Sequence, residues 1–482
     1  MNKQLTRDLN IAFVVFCAAV TGIGGFLFGY DTAVINGANT FLQMHFQLDP
    51  MKDSFLIGLA TASAIIGCIP GAMSAGFISD KFGRRKVLFF CALLYAMSGI
   101  LSAIPQNFVQ FIAARILSGI AIGVSSMICP VYIAEIAPPK WRGRLGALFQ
   151  LGIVTGILIT LLINGKIQSL GNEAWNITMG WRWMLAAEVL PALAFIALLP
   201  RIPESPKWLI QAGRESEARV TLNRIGGPAY AAAEIASVRE VLAQERGTFG
   251  ELFSRDYRTP LIIAVFIMVA QQFSGITVVM YYSTDIFKAA TGDANAAFTA
   301  SVWIGLVNLG ATFIAILLVD KAGRKPLLLL GNAVQVVGLL TVGYVYSVNP
   351  HSTKLFWGVI IYTAAFAVAM GPVAWILCSE IFPAKLRGRA MSLSTFAIWF
   401  ACYLVSQTFP LLLHSFGSTI TFWFYASCSA VTFLFVLLFI PETKGRSLEE
   451  IEKSWRKQAA EGLASAHKRG NTALAGGNEQ KS

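Results

Sequence analysis

The chain has 482 residues, of which 55% are hydrophobic and only 13% charged, far from the roughly 45–50% apolar and about 25% charged composition of soluble domains. A soluble enzyme is excluded as the first reading, and so is a nucleic-acid binder, because the net charge of +12 is dispersed over loops between apolar runs rather than gathered into one basic face. The seven cysteines all fall in apolar runs without metal-ligand spacing, and the four histidines fall in loops or the tail, so packing thiols, no metal and no cofactor are expected.

An apolar run of about 20 residues crosses a hydrocarbon core about 30 Å thick as a helix. Twelve such runs predict spans near 11–36, 55–78, 87–104, 108–133, 145–164, 183–199, 260–287, 297–319, 326–346, 355–378, 390–413 and 419–440. The first continues into FGYDTAVI without a small-residue cleavage site, so it reads as a retained span rather than a signal peptide. Sorted by the loops that remain, 32 of the 38 Lys and Arg lie on one side. With an even number of spans, that bias puts both termini in the cytoplasm. Between the sixth and seventh spans, 201–258 is polar, and SEARVTLNRI and AAAEIASVREVLAQER have the spacing of short amphipathic cytoplasmic helices. The tail after 446 is polar, and its end has the composition of a disordered segment.

Three phrases recur in the same order. DKFGRRK at 80 returns as DKAGRKP at 320, EIAPPKWRGR at 135 as EIFPAKLRGR at 380, and PES at 203 as PET at 441, with offsets of 240, 245 and 238 residues. Concordant offsets predict a duplication: two six-span halves, 1–200 and 259–440, joined by 201–258 and followed by a tail, 441–482. The expected fold class is all-α, a polytopic membrane protein of twelve helices in two six-helix bundles with short cytoplasmic helices.

GYD at 29–31, DKFGRR, the block PVYIAEIAPPKWRGR, PESPKWL at 203–209, QQFSG at 271–275, DKAGRK, GPVAW at 371–375 and PETKG at 441–445 together resemble the sugar porter family of the major facilitator superfamily. Within it they resemble bacterial proton-coupled xylose and hexose symporters. The resemblance spans about residues 10–446. It implies the major facilitator fold and alternating access in the inner membrane, with a monosaccharide and a proton as partners. The lipid bilayer is the other expected partner, with the chain working as a monomer. A facilitative sugar uniporter, or a sugar receptor that does not transport, is the alternative. No GxxxxGK[ST] phosphate loop is present, which disfavours an ATP-driven pump. No Ser/His/Asp set stands among the candidate polar residues, so no enzyme is expected.

Each half carries carboxylates at span ends, Asp80, Glu135 and Glu204 in one and Asp320, Glu380 and Glu442 in the other. Guanidinium groups lie close by in sequence, Arg84, Arg142 and Arg144, then Arg324, Arg387 and Arg389. The planar guanidinium fork suits carboxylates and stays charged. The resemblance implies a cytoplasmic gate, in which pairs bridging the halves hold the inner side shut in the outward-open state. Each exposed pair contributes only about 0–1 kcal/mol, so several bias the equilibrium without locking it. Anchoring of loops alone would require the bases but not the matching acids.

A carboxylate inside a span costs about 2.5–3.5 kcal/mol and is a functional candidate by default. Asp31 lies about five residues (~8 Å) inside the first span's predicted outer end and Arg115 about seven (~10 Å) inside the fourth's, so the two are expected to pair. Glu188 falls at a comparable depth in the sixth span. A carboxylate whose distance from Arg changes with conformation can load and release a proton, and the resemblance implies that coupling at Asp31. The alternative is a static ion pair that sets helix register. One charge moved through 100 mV supplies about 2.3 kcal/mol, enough for roughly 50-fold accumulation.

A neutral polyhydroxyl solute needs donors, acceptors and aromatic faces, and amides supply both polar functions. Gln150, Gln271, Gln272 and Asn308 interrupt apolar spans, Trp375 follows Gly371-Pro372, and Trp399 lies in the eleventh span. The resemblance implies sugar contacts at Gln150, Gln271, Gln272, Asn308 and Trp375, and aromatic cavity or outer-gate positions at Phe28, Tyr281 and Tyr282. Interhelical glue is the alternative for the amides. Thr277 stands where the family pattern QQxxGxN has an amide, and Ile157 and Ile398 stand where xylose symporters have Gln. The sugar is therefore left open between a hexose and a pentose.

Overall fold

The computed structural model describes residues 9–243 and 248–444, and every regular element among them is a helix. Six spans come first: α1 (Ile11–His45), α2 (Ser54–Phe82), α3 (Arg84–Ala103), α4 (Phe108–Ile136), α5 (Arg142–Gln168) and α6 (Glu173–Arg201). Three shorter elements follow, α7 (Pro206–Gln211), α8 (Glu215–Ala243) and α9 (Phe249–Leu252), with α8 bent at Gly226 and Gly227. The seventh span is split into α10 (Arg255–Phe273) and α11 (Ile276–Thr291). After α12 (Ala294–Ala322) and α13 (Arg324–Val348), the tenth span is split into α14 (Lys354–Val368) and α15 (Met370–Glu380). α16 (Ala384–Phe439) contains the last two spans, divided where Gly417 leaves helical geometry at φ 75°. Twelve spans result among the described residues, as the apolar runs predict. Residues beyond 444, including the polar tail, lie outside the described residues.

Two kinds of break have local causes. Gly275 adopts φ 90° and starts α11 afresh after Gln271-Gln272, a left-handed conformation that glycine reaches without steric cost. In the tenth span the break falls at Ala369, a little before the Gly371-Pro372 pair that signals it. Proline has no N–H and clashes with the carbonyl four residues back, so the ladder fails on the N-terminal side of Pro372.

α1 runs to His45, nine residues past the end that hydropathy predicts. The extra stretch, GANTFLQMH, is polar enough to end an apolar run. It stays helical because Asn39 and Thr40 find partners on α11.

The surface and the interior differ from those of a soluble protein. Phe77, Phe90, Leu317 and Leu438 are all more than 60% exposed, acceptable against lipid and a liability in water. Inside, Gly25 and Gly29 on α1 face Phe149 and Ile153 of α5, and Gly67 and Gly71 on α2 face α4 at Ile116 and Ile120. Small residues four apart let helix backbones approach closely where lipid supplies no hydrophobic drive for association. These tight pairs seat α1 on α5 and α2 on α4, and α1 and α4 carry Asp31 and Arg115. The first six spans meet the last six through α1 on α11, α2 on α16 and α5 on α12.

Candidate functional site

The repeated phrases fold into the same cluster twice, at one end of the helices. Gly83 and Gly323 both turn at φ 93°, and the helices that follow open with Arg84 and Arg324. Arg84 grips Glu135 with Nε at 3.0 Å and Nη2 at 3.2 Å, and also pairs with Asp80 at 3.0 Å. Arg324 grips Glu380 with Nε at 3.2 Å and Nη2 at 2.8 Å. Ser205 donates to Glu135 at 2.5 Å, and Thr443 donates to Glu380 at 2.6 Å. The carboxylates of Glu204 and Glu442 each accept from the first two backbone N–H groups after the turning glycine, those of Arg84 and Arg85 and those of Arg324 and Lys325. An anion at a helix N-terminus is favoured by the free N–H groups and the helix dipole. Burial alone would raise the Glu442 carboxyl, but the backbone N–H groups of Lys444, Arg324, Lys325 and Thr443 hold it below its usual range.

These pairs close within one half of the sequence. Among the described residues, no ion pair at this end joins α1–α6 to α10–α16, so the bridging pairs expected of an outward-open state are not formed here. The other four arginines meet no carboxylate within ion-pair distance among the described residues. Arg142 Nε donates to the Ala134 carbonyl at 3.1 Å, Arg144 lies over Trp141, Arg389 lies over Phe249, and Arg387 has a buried Nε without a partner. The side chain of Asp320 lies outside the described residues.

Deep in the first six spans, Arg115 of α4 and Asp31 of α1 form a fully buried bidentate pair, Nη1 to Oδ1 at 2.5 Å and Nη2 to Oδ2 at 3.1 Å. Ser118 donates to the same Oδ1 at 2.8 Å. The depth estimate that suggested the pair placed the end of α1 too early, but the partners are the ones it named. Glu188 is also buried, in a loosened turn of α6 where Pro191 leaves the Ala187 carbonyl without its usual donor, so that it accepts from Leu190 N instead. Its Oε1 has no hydrogen-bond partner among the described residues. Tyr281 of α11, from the other half, is also within electrostatic reach of the pair.

The candidate sugar contacts are linked through the two broken spans. Gln271 Nε2 donates to the carbonyls of Met370 at 2.6 Å and Gly371 at 3.0 Å, tying the seventh span to the interruption in the tenth. Gln272 accepts from the Thr277 hydroxyl, which also lies 3.7 Å from Cys402 Sγ. Phe28 and Trp399 approach from opposite halves, with ring centroids 5.6 Å apart. Gln150 and Trp375 are half-buried and Asn308 is buried, and their side chains make no hydrogen bond among the described residues. Tyr282 donates to the Ser406 carbonyl at 3.1 Å, and Ile157 and Ile398 are buried.

At the opposite end from the arginine clusters, polar contacts join the halves, and sequence reasoning missed them. Asn36 donates to Ser283 Oγ at 2.6 Å and accepts from Thr284 N at 2.9 Å. The Asp285 carboxylate accepts from Asn39 at 2.6 Å and Thr40 at 2.5 Å, and Gln407 of α16 donates to the Phe55 carbonyl of α2 at 2.8 Å. The signal was present: Asn36, Asn39 and Thr40 have the i, i+3, i+4 spacing of one helix face, and Asp285 is a carboxylate inside a predicted span.

The chain resembles known proteins over nearly its whole length. A family model described as sugar (and other) transporter matches residues 15–455. The arabinose-proton symporter of Bacillus subtilis is 40% identical over 458 residues, covering 95% of this chain and 98% of that protein. The D-xylose-proton symporter of Escherichia coli K12 is 36% identical over 482 residues, covering 94% and 98%. Among solved structures, the inward open conformation of the xylose transporter XylE from E. coli matches with a TM-score of 0.83 at 35% identity, covering 92% of this chain and all of that one.

Proposed function

The chain belongs to the sugar (and other) transporter family, and from that premise we propose that it carries a monosaccharide, hexose or pentose, together with a proton across the inner membrane. The observation that carries the coupled reading is the buried Asp31–Arg115 pair, because a carboxylate held by one guanidinium is a proton site whose affinity follows the distance between them. Glu188, buried and unpartnered at Oε1, shares the guanidinium when Asp31 is protonated. Sugar sits between the halves against Phe28, Gln150, Gln271, Gln272, Asn308, Trp375 and Trp399, with Thr277 beside Gln272. It is a transporter rather than an enzyme, works as a monomer, and has both termini in the cytoplasm.

On this reading the duplicated segments 1–200 and 259–440 are bundles that rock about the sugar, joined by 201–258. The closed α1–α11 contact is the outer gate, and the state described is the one facing the cytoplasm, in keeping with the inward-open neighbour. When the bundles rock, the inner ends approach. Arg142, Arg144, Arg387 and Arg389 then meet the acidic clusters of the opposite half around Glu135, Glu204, Glu380 and Glu442, with Asp80, Arg84, Asp320 and Arg324 framing them.

Uptake into proteoliposomes of glucose, galactose, xylose, arabinose and inositol, with and without an inward proton gradient, tests the function. Gradient-driven accumulation of at least one monosaccharide is expected. Equal uptake with and without the gradient leaves a facilitator, and saturable binding without counterflow leaves a receptor.

A further inference from the structure

The adjacent glutamines of the seventh span are held in opposite senses. Gln271 spends both amide protons on the main-chain carbonyls of Met370 and Gly371. A carbonyl only accepts, so the orientation of this amide is forced, and its Oε1, which has no partner among the described residues, is left as an acceptor. Gln272 is tied the other way round. The Thr277 hydroxyl, on the far side of the Gly275 break, donates to Gln272 Oε1, and Cys402 Sγ lies 3.7 Å from the same hydroxyl. A hydroxyl has one proton to give, so with that proton on Gln272 the Cys402 S–H donates to Thr277 Oγ1. The relay runs from thiol to hydroxyl to amide oxygen and leaves the Gln272 Nε2 protons as donors.

We propose that Thr277 is a specificity-determining positioning residue that makes Gln271 and Gln272 an acceptor beside a donor, selecting a ligand with one hydroxyl that gives a proton next to an oxygen that accepts one. Two vicinal hydroxyls on a monosaccharide ring have that arrangement. An amide at position 277 could present either its oxygen or its nitrogen to Gln272, whereas here the Thr277 hydroxyl donates to Gln272 Oε1 with the Cys402 thiol on its other side. The proposal rests on reading the two glutamines as sugar contacts.

The test measures affinity of the full-length protein in nanodiscs for the best-bound monosaccharide of the uptake panel and for its deoxy and deoxyfluoro analogues at each ring position. A deoxy analogue removes donor and acceptor, while C–F keeps a weak acceptor and no donor. Wild-type protein is expected to bind fluorine several-fold better than hydrogen at one position, the one facing Gln272, and to reject both equally at its neighbour. Thr277→Val keeps the shape and removes the hydroxyl, so the parent sugar should weaken by about tenfold and the fluoro-to-deoxy ratio should fall towards one. Thr277→Ser should restore both. Cys402→Ala leaves the hydroxyl but frees its sense, and should lower the same ratio in a second, independently folded variant. An unchanged ratio in either Thr277→Val or Cys402→Ala, or no rescue by serine, overturns the proposal. Wild-type protein that binds none of the monosaccharides overturns the sugar reading beneath it, and that outcome is seen before any variant is compared.

Discussion

Arg84 holds Glu135 through Nε at 3.0 Å and Nη2 at 3.2 Å, a two-pronged contact between the start of α3 and the end of α4. Arg324 and Glu380 repeat it 240 and 245 positions later. Both arginines follow a glycine at φ 93° whose missing side chain leaves room for a carboxylate, since a Cβ on Gly83 would lie 2.5 Å from Glu204 Oε2 and one on Gly323 2.7 Å from Glu442 Oε2. The sequence repeat is therefore a repeat of geometry: a left-handed turn, an anion seated on new backbone N–H groups, and a guanidinium fork on a second anion.

Replacing Arg84 by Lys keeps the charge and removes the fork. The expected loss is on the order of 1–3 kcal/mol, that of a charge-assisted hydrogen bond, read as a lower melting temperature in detergent. Gly83→Ala should destabilise as well, by roughly 1–2 kcal/mol for the left-handed backbone alone. Unchanged melting in both variants would mean that the cluster bears no structural load.

Asp31→Asn removes the titrating group and retains the shape. Uphill uptake should be lost while sugar binding and exchange persist, measured as gradient-driven accumulation against counterflow in the same vesicles. Accumulation equal to wild type takes Asp31 out of the coupling step.

Gln272→Ala should weaken sugar binding by more than the ~0.5–1.5 kcal/mol of an ordinary hydrogen bond, because a buried sugar hydroxyl is left without a partner. Titration calorimetry with the transported sugar reads the loss directly. Equal affinity in the variant moves the sugar away from the seventh span.

Asn36→Ala removes two hydrogen bonds across the outer contact, to Ser283 and from Thr284. At about 1 kcal/mol each, their loss should shift the population towards outward-facing by roughly tenfold or more, since 1.4 kcal/mol is a factor of ten. Spin-label distances between the ends of α1 and α11 should lengthen. Unchanged distances would show that the closed end is held by other contacts.

The Glu442 carboxyl is held below its usual range in the folded chain, so its contribution is present above the ordinary glutamate pKa of about 4.3 and is lost as pH falls through the lower folded value. Glu442→Gln should therefore cost stability at pH 7 and lose less than wild type on acidification. Parallel melting curves from pH 7 to pH 3 for the two proteins would contradict that sign.

Charge inside the apolar runs of the first half was easy to read, because each such residue is costly and must be compensated. That is why Asp31, Arg115 and Glu188 stood out and are found together, whereas Asp285, near the end of its run, was passed over. Uncharged groups at the end of a span gave no such warning. Asn36 closed the predicted span and Asn39 and Thr40 fell beyond it, although their partners on α11 keep α1 helical to His45. Carboxylates and arginines at the opposite end were recognised as a set, but their pairing was not, since a repeat tells which residues correspond and not which of them touch. Thr277 was noticed only as a missing amide, while its hydrogen bond to Gln272 depends on the Gly275 turn that folds one back over the other.

The proton candidate lies wholly in the first six spans, while Gln271, Gln272 and their carbonyl partners lie wholly in the last six. With proton and sugar seated as proposed, no hydrogen bond among the described residues joins Asp31 or Arg115 to Gln271 or Gln272, so coupling is carried by the shared hinge motion instead of by a chemical bond between the two events. Slippage is the characteristic failure of such a machine: damage on one side releases one passenger and lets the other still ride.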